Sequence, residues 1–145
     1  MLRYLLAGLI TLSCFFVGAQ ALNVAPKILE LELMVEADAD ILFNHVNPIY
    51  FTLSSFYGGR EQEATGEIYV DDPEIYWHSL NPVMWRLELP QSLSTLDVKV
   101  NAKLALCDKQ KGLCYFQEVA LREVVRVNQA INKQTLTLTL ALPDY

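Results

Sequence analysis

Cys107 and Cys114 frame the polar stretch DKQKGL. A valine- and leucine-rich alternating run, LDVKVNAKLAL, leads into it, and Tyr115-Phe116 leads out. Cysteines at this spacing have three chemical uses. They exchange electrons as a dithiol–disulfide pair, supply half of a metal site, or close one hairpin permanently. Exchange requires a thiolate that attacks a foreign disulfide. Lys109 and Lys111 in the turn favour the thiolate charge, and Asp108 beside Cys107 opposes it. Transfer between proteins also needs an exposed sulfur and a flat surface around it, for which Phe56, Tyr57, Tyr115 and Phe116 are the aromatic candidates.

Other constellations carry less. His45 and His78 are the only histidines, and with the cysteines they would complete a four-ligand set. No short-range ligand spacing accompanies them, so no metal and no cofactor is expected. Asp38 and Asp40 resemble the start of a calcium loop, but no Gly or terminal Glu follows at the required spacing. Met34 and Met84 read as packing residues. Without a Gly-rich phosphate loop, a G-x-S-x-G elbow or an H-E-x-x-H motif, nucleotide and hydrolase chemistry has no foothold.

The amino terminus points to an oxidising compartment. Residues 1–21 read MLRYLLAGLITLSCFFVGAQA: one arginine, an uncharged apolar stretch, then Ala-Gln-Ala before the expected cut. That is the layout of a secretory signal peptide, and its apolar run is short for a membrane span. An uncleaved anchor and a lipoprotein at Cys14 are the alternatives. Removal of residues 1–21 leaves residues 22–145 as one domain with two cysteines and a single possible pairing, in the periplasm or outside the cell. No second apolar run is long enough to span a bilayer. The whole chain has 17 acidic and 11 basic side chains and a net charge of −6. It has no basic patch, which argues against nucleic-acid binding.

Alternation predicts strands. KILELELMVE (27–36) puts leucines on one face and glutamates on the other. The runs 84–90, 96–107 and 134–143 alternate in the same way, and 48–56 and 66–70 are shorter β-rich candidates. Residues 116–127 fit a strand with Glu123 as the exception, or a helix. Turn residues separate the runs, so the fold expected is all-β: an immunoglobulin-like antiparallel sandwich of about seven strands. If Leu104 and Leu106 face the core, Lys103, Ala105 and Cys107 face outward. Cys107 and Cys114 then sit across a hairpin neck, where opposed Cα atoms are about 4.5–5.5 Å apart and a disulfide can form. Closing a loop of about eight residues is worth roughly 2.5 kcal/mol in the chain-entropy model. That is a local gain in a chain long enough to fold on its core, which tilts the reading toward exchange. A fixed disulfide in a non-catalytic binding or accessory sandwich is the competing reading.

The segment LALCDKQKGLCYFQEVAL resembles the cysteine hairpin of the amino-terminal domain of the protein-disulfide reductase DsbD family. Cys107, Gly112, Cys114 and Tyr115 match that pattern. Phe56-Tyr57-Gly58 and Glu74-Ile75-Tyr76 resemble the pieces of its cap loop. The turn between the cysteines is one residue longer here, and Phe116-Gln117 replace the prolines usual after the second cysteine. The resemblance implies an immunoglobulin-like domain whose Cys107–Cys114 pair accepts electrons from a membrane-anchored partner and passes them to periplasmic thiol proteins. It also implies Phe56, Tyr57 and Tyr115 as cap or supporting residues, and Lys109 joins them as a supporting residue on the charge argument above.

Overall fold

The computed structural model describes residues 25–143, so the expected signal peptide, residues 1–21, lies outside the described residues. Ten strands follow one another: β1 (Lys27–Glu36), β2 (Ile41–Asn44), β3 (Tyr50–Ser55), β4 (Gly58–Glu63), β5 (Gly66–Ile68), β6 (Tyr76–Leu80), β7 (Val83–Leu89), β8 (Thr95–Asp108), β9 (Leu113–Arg126) and β10 (Lys133–Ala141). No helix occurs among the described residues, and the ambiguous run at 116–127 is strand β9.

The strands form two sheets packed as an all-β, immunoglobulin-like sandwich. One has the order β10-β1-β7; the other has the order β4-β3-β8-β2-β6-β5, with β9 on the remaining side of β8. Strand β8 is the spine of the larger sheet. β2 and β3 lie end to end along one of its sides, with Leu42 opposite Cys107 and Phe51 opposite Ala102. All of β9 pairs with the other side. Pairing is antiparallel except between β1 and β10, which run parallel. A parallel pair needs a long crossover, and here nearly the whole chain separates the two strands.

The alternation read in the sequence becomes the core. Leu29, Leu31 and Leu33 of β1 join Phe51, Leu53, Val98, Val100, Leu104 and Leu106 in one buried cluster. Each such side chain contributes on the order of 1.5–3 kcal/mol by leaving water. Lys27 shares the inward parity of these leucines and is fully buried; its Nζ donates to the Asn128 carbonyl at 2.8 Å. Met34 and Met84 are not core residues. Their parity places them on the outer face of the smaller sheet, 37% and 43% exposed.

Three strands escaped the sequence reading. β2 is short and has no alternation to detect. β4, GGREQE, is an exposed edge, where charged side chains suit solvent and leave no apolar signature. β6 follows the Asp-Asp-Pro turn and runs to Leu80.

Candidate functional site

The polar turn forms the site's frame. β8 ends at Asp108 and β9 begins at Leu113, which leaves a loop of Lys109–Gly112. The Asp108 carboxylate accepts from the backbone N–H groups of Gln110 and Lys111 at 2.9 and 3.0 Å, and its carbonyl accepts from Gly112 N–H at 2.9 Å. Gly112 has a φ of 62°, a left-handed value that Gly adopts without steric cost. The neighbouring β1–β2 turn braces this loop: Lys109 N–H donates to the Asp40 carbonyl at 2.9 Å, and the Gln110 amide bonds the Asp40 carboxylate.

Donation from the Lys111 and Gln110 backbone, together with the Lys111 ammonium, holds the Asp108 carboxyl below its ordinary value. A depressed folded-state pKa stabilises the fold above the unfolded value and is lost as pH falls through the folded one. Asp108→Ala is therefore expected to lower Tm at neutral pH. The gap from the parent protein should begin to narrow below about pH 4, where the unfolded-state carboxylate protonates, and close only at lower pH, where the folded-state one does too. A pH series of thermal melts reads this directly; a gap that stays constant down to pH 2 would contradict it.

Cys107 and Cys114 are directly opposed across β8 and β9, with Cα atoms 4.1 Å apart, and are joined as a disulfide. A separation that short is the closely spaced, non-hydrogen-bonded kind of antiparallel pair. The outward parity expected for Cys107 holds, because Leu104 and Leu106 are both buried in the core. The pair is accessible from the Cys114 side. Cys107 is 7% exposed, whereas Cys114 is exposed.

The cover comes from the β5–β6 hairpin. Asn44 of β2 pairs with Tyr76 of β6, so Leu42, Cys107, Cys114 and Tyr76 share the outer face. Tyr76 Oη lies 3.5 Å from Cys107 Sγ and 4.0 Å from Cys114 Sγ. Disulfide sulfurs carry no hydrogen, so the phenol is the donor in both approaches. The loop that leads into Tyr76 is anchored to the end of β2. His45 N–H donates to the Ile75 carbonyl at 2.9 Å, His45 Nε2 lies 3.3 Å from the Pro73 carbonyl, and the imidazole stacks on Trp77 with centroids 4.4 Å apart. Tyr69 closes the loop against the cysteine turn, with Lys109 Nζ 5.6 Å from its ring centroid. A hydrogen bond to Asp71 and the charge of that carboxylate push the Tyr69 phenol upward, so it remains protonated.

The sequence-based candidates divide. Lys109 belongs to the site, but it faces Tyr69. Lys111 pairs with Asp108 at 3.5 Å. Phe56 and Tyr57 do not belong to it. Ser55 pairs with Val98, toward the opposite end of β8 from Cys107, on the order of 30 Å away at about 3.3 Å per residue. They sit at the β3–β4 turn, where Phe56 is 91% exposed and packs edge-on against Tyr57. Tyr115 also fails as a cover: it pairs with Leu106, so it points to the inner face and packs against the core. Phe116 is the aromatic beside the sulfurs. It is two residues from Cys114 on the same face, opposite Ala105, and 74% exposed. Lys103 Nζ lies 5.3 Å from its ring centroid, and the ring borders a shallow outer-face groove with Val46, Pro48 and Tyr50.

Sequence reasoning overlooked Tyr69 and did not single out Tyr76 within its Glu74-Ile75-Tyr76 match. The pairing of β2 with β6 brings Tyr76 over the cysteines, and β2 and β6 are two of the strands without a legible pattern. The histidines lie elsewhere: His45 holds the loop, and His78 pairs with Glu67 at 3.1 Å. Among the described residues, no group of three or more His, Cys, Asp or Glu side chains is placed to hold a metal ion. No helix among them is long and apolar enough to cross a membrane. No protein-family model matches the chain, and no curated protein matches it.

Proposed function

We propose that this chain is a periplasmic or secreted thiol–disulfide interchange domain, similar in role to the amino-terminal domain of the DsbD family. Its partners in this reading are other thiol–disulfide proteins, one that donates electrons and one that receives them. The observation that carries the reading is the asymmetry of the pair: an exposed Cys114 bonded to a buried Cys107 whose Sγ lies beside the Tyr76 hydroxyl. A permanent staple adds only a local gain there, because β8 and β9 are already paired along the whole of β9.

The chemistry follows from it. A thiolate of a reduced partner attacks Cys114 Sγ. The Cys107–Cys114 bond breaks, and its electron pair leaves with Cys107 as a thiolate. Tyr76 O–H, already 3.5 Å from that sulfur, stabilises the departing charge by donating to it. A second partner thiol then attacks the partner's own sulfur in the mixed disulfide. Cys114 is released, the pair is reduced by two electrons, and the partner is oxidised to a disulfide. The reverse sequence delivers the electrons onward. Phe116 and the groove beside it offer the apolar surface that a transient partner docks on.

Equilibration in a glutathione buffer tests the reading. An exchanging pair titrates between dithiol and disulfide within the buffer's range. A bond that stays oxidised throughout supports the competing reading, a binding or accessory sandwich with a structural disulfide.

A further inference from the structure

Strand β9 is 14 residues long and, among the described residues, pairs only with β8, which leaves one side of it an open edge there. The parity of that edge is fixed by the cysteines. Because Cys107 and Cys114 form a non-hydrogen-bonded pair, the backbone N–H and C=O of Cys114 point away from β8. The same holds for Phe116, Glu118, Ala120, Arg122 and Val124. From Cys114 to Val124 these groups have no backbone partner among the described residues. Soluble proteins blunt such an edge with prolines, lysines, bulges or short length. β9 has no proline, no lysine and no register shift against β8; what it carries are the charges of Glu118, Arg122, Glu123 and Arg126.

The outward side chains of β9 are self-complementary about Ala120. Two antiparallel copies centred there place Ala120 opposite Ala120, Glu118 opposite Arg122, and Phe116 opposite Val124. The register makes the outward-pointing backbone groups bond each other. Phe116 and Val124 are 74% and 62% exposed, and each gains an apolar neighbour. Within one chain Glu118 is opposite Lys103; Arg122 is opposite Lys99 and reaches diagonally to Asp97, with N–O at 2.6 Å. Across the dyad Glu118 then stands between two cations, Lys103 of its own chain and the second copy's Arg122.

We propose that the β9 edge is the interface of a two-fold homodimer in which the larger sheets of two copies join into one continuous sheet. This is an isologous contact, so every favourable pair occurs twice. It leaves the outer face, with Tyr76 and the disulfide, uncovered. It also brings the second copy's Arg126 beside Cys114. If the exchange reading holds, that cation favours the Cys114 thiolate; the dimer itself does not depend on that reading.

Sedimentation of the purified chain at about 100 µM, well above a micromolar Kd, is expected to give twice the monomer mass. Glu118→Arg places like charges face to face at both symmetry-related sites and is expected to give the monomer mass. The swapped pair Glu118→Arg/Arg122→Glu restores the opposition and is expected to recover the dimer. Circular dichroism of each variant establishes that the sandwich is folded. A parent chain that is monomeric at that concentration, which leaves the edge to a foreign strand, would overturn the proposal. So would a dimer indifferent to Glu118→Arg, or a folded swapped pair that remains monomeric.

Discussion

Cys107→Ala is expected to yield a protein that captures partner thiol proteins as mixed disulfides, whereas Cys114→Ala captures about tenfold less or nothing. The difference follows from exposure alone. With Cys107 removed, the remaining Cys114 sulfur is exposed on the hairpin and has no internal cysteine to resolve the mixed disulfide. With Cys114 removed, the remaining cysteine is Cys107, which is 7% exposed in the parent and lies beside Tyr76. Exchange needs the attacking and attacked sulfurs to approach in contact, so access limits the rate as firmly as thiolate content does. Non-reducing gels of each variant after incubation with an extract of exported proteins measure the effect. Equal capture by both variants would show that Tyr76 does not govern access.

Tyr76→Ala is expected to expose Cys107 in the reduced protein. In the parent, iodoacetamide should label Cys114 first and Cys107 at least about tenfold more slowly, a factor that corresponds to about 1.4 kcal/mol of opening. Removal of the ring should bring the two rates close together. Tyr76→Phe separates cover from chemistry. It keeps the ring over the sulfur, so alkylation of Cys107 stays slow. It removes the O–H that donates to the Cys107 thiolate, so the Cys107 thiol pKa rises. Site-resolved mass spectrometry across a pH series reads both effects. A Cys107 rate that is unchanged in Tyr76→Ala would remove the phenol from the mechanism.

The larger architecture was legible in the sequence where one face of a strand is buried and the other is wet. β1, β7, β8 and β10 all alternate, and the parity of β8 alone placed Cys107 on the outer face opposite Cys114. What escaped the reading was whatever depends on lateral order in the sheet. β4 is wholly exposed, so it has no apolar stripe, and β2 is too short for one. Without β2 and β6, no strand pattern brings Tyr76 to the disulfide or Tyr69 to Lys109; only the resemblance of Glu74-Ile75-Tyr76 to a cap piece pointed toward the cysteines. The same gap explains why Phe56 and Tyr57 were misplaced. An aromatic pair next to a glycine turn looks suited to cover a site, but its register with β8 decides which end it occupies, and Ser55 pairs with Val98. Tyr115 was misassigned by a single step of parity, and Phe116, its neighbour, has the face that Tyr115 was expected to have.

The central claim is that the Cys107–Cys114 bond makes and breaks in use. Its reduction potential, measured by equilibration against glutathione couples with alkylation of the free thiols, tests this most directly. The account predicts a potential above about −300 mV, within reach of thiol partners in an oxidising compartment. A value far below about −300 mV would mark a bond that such partners do not reduce, and would contradict it.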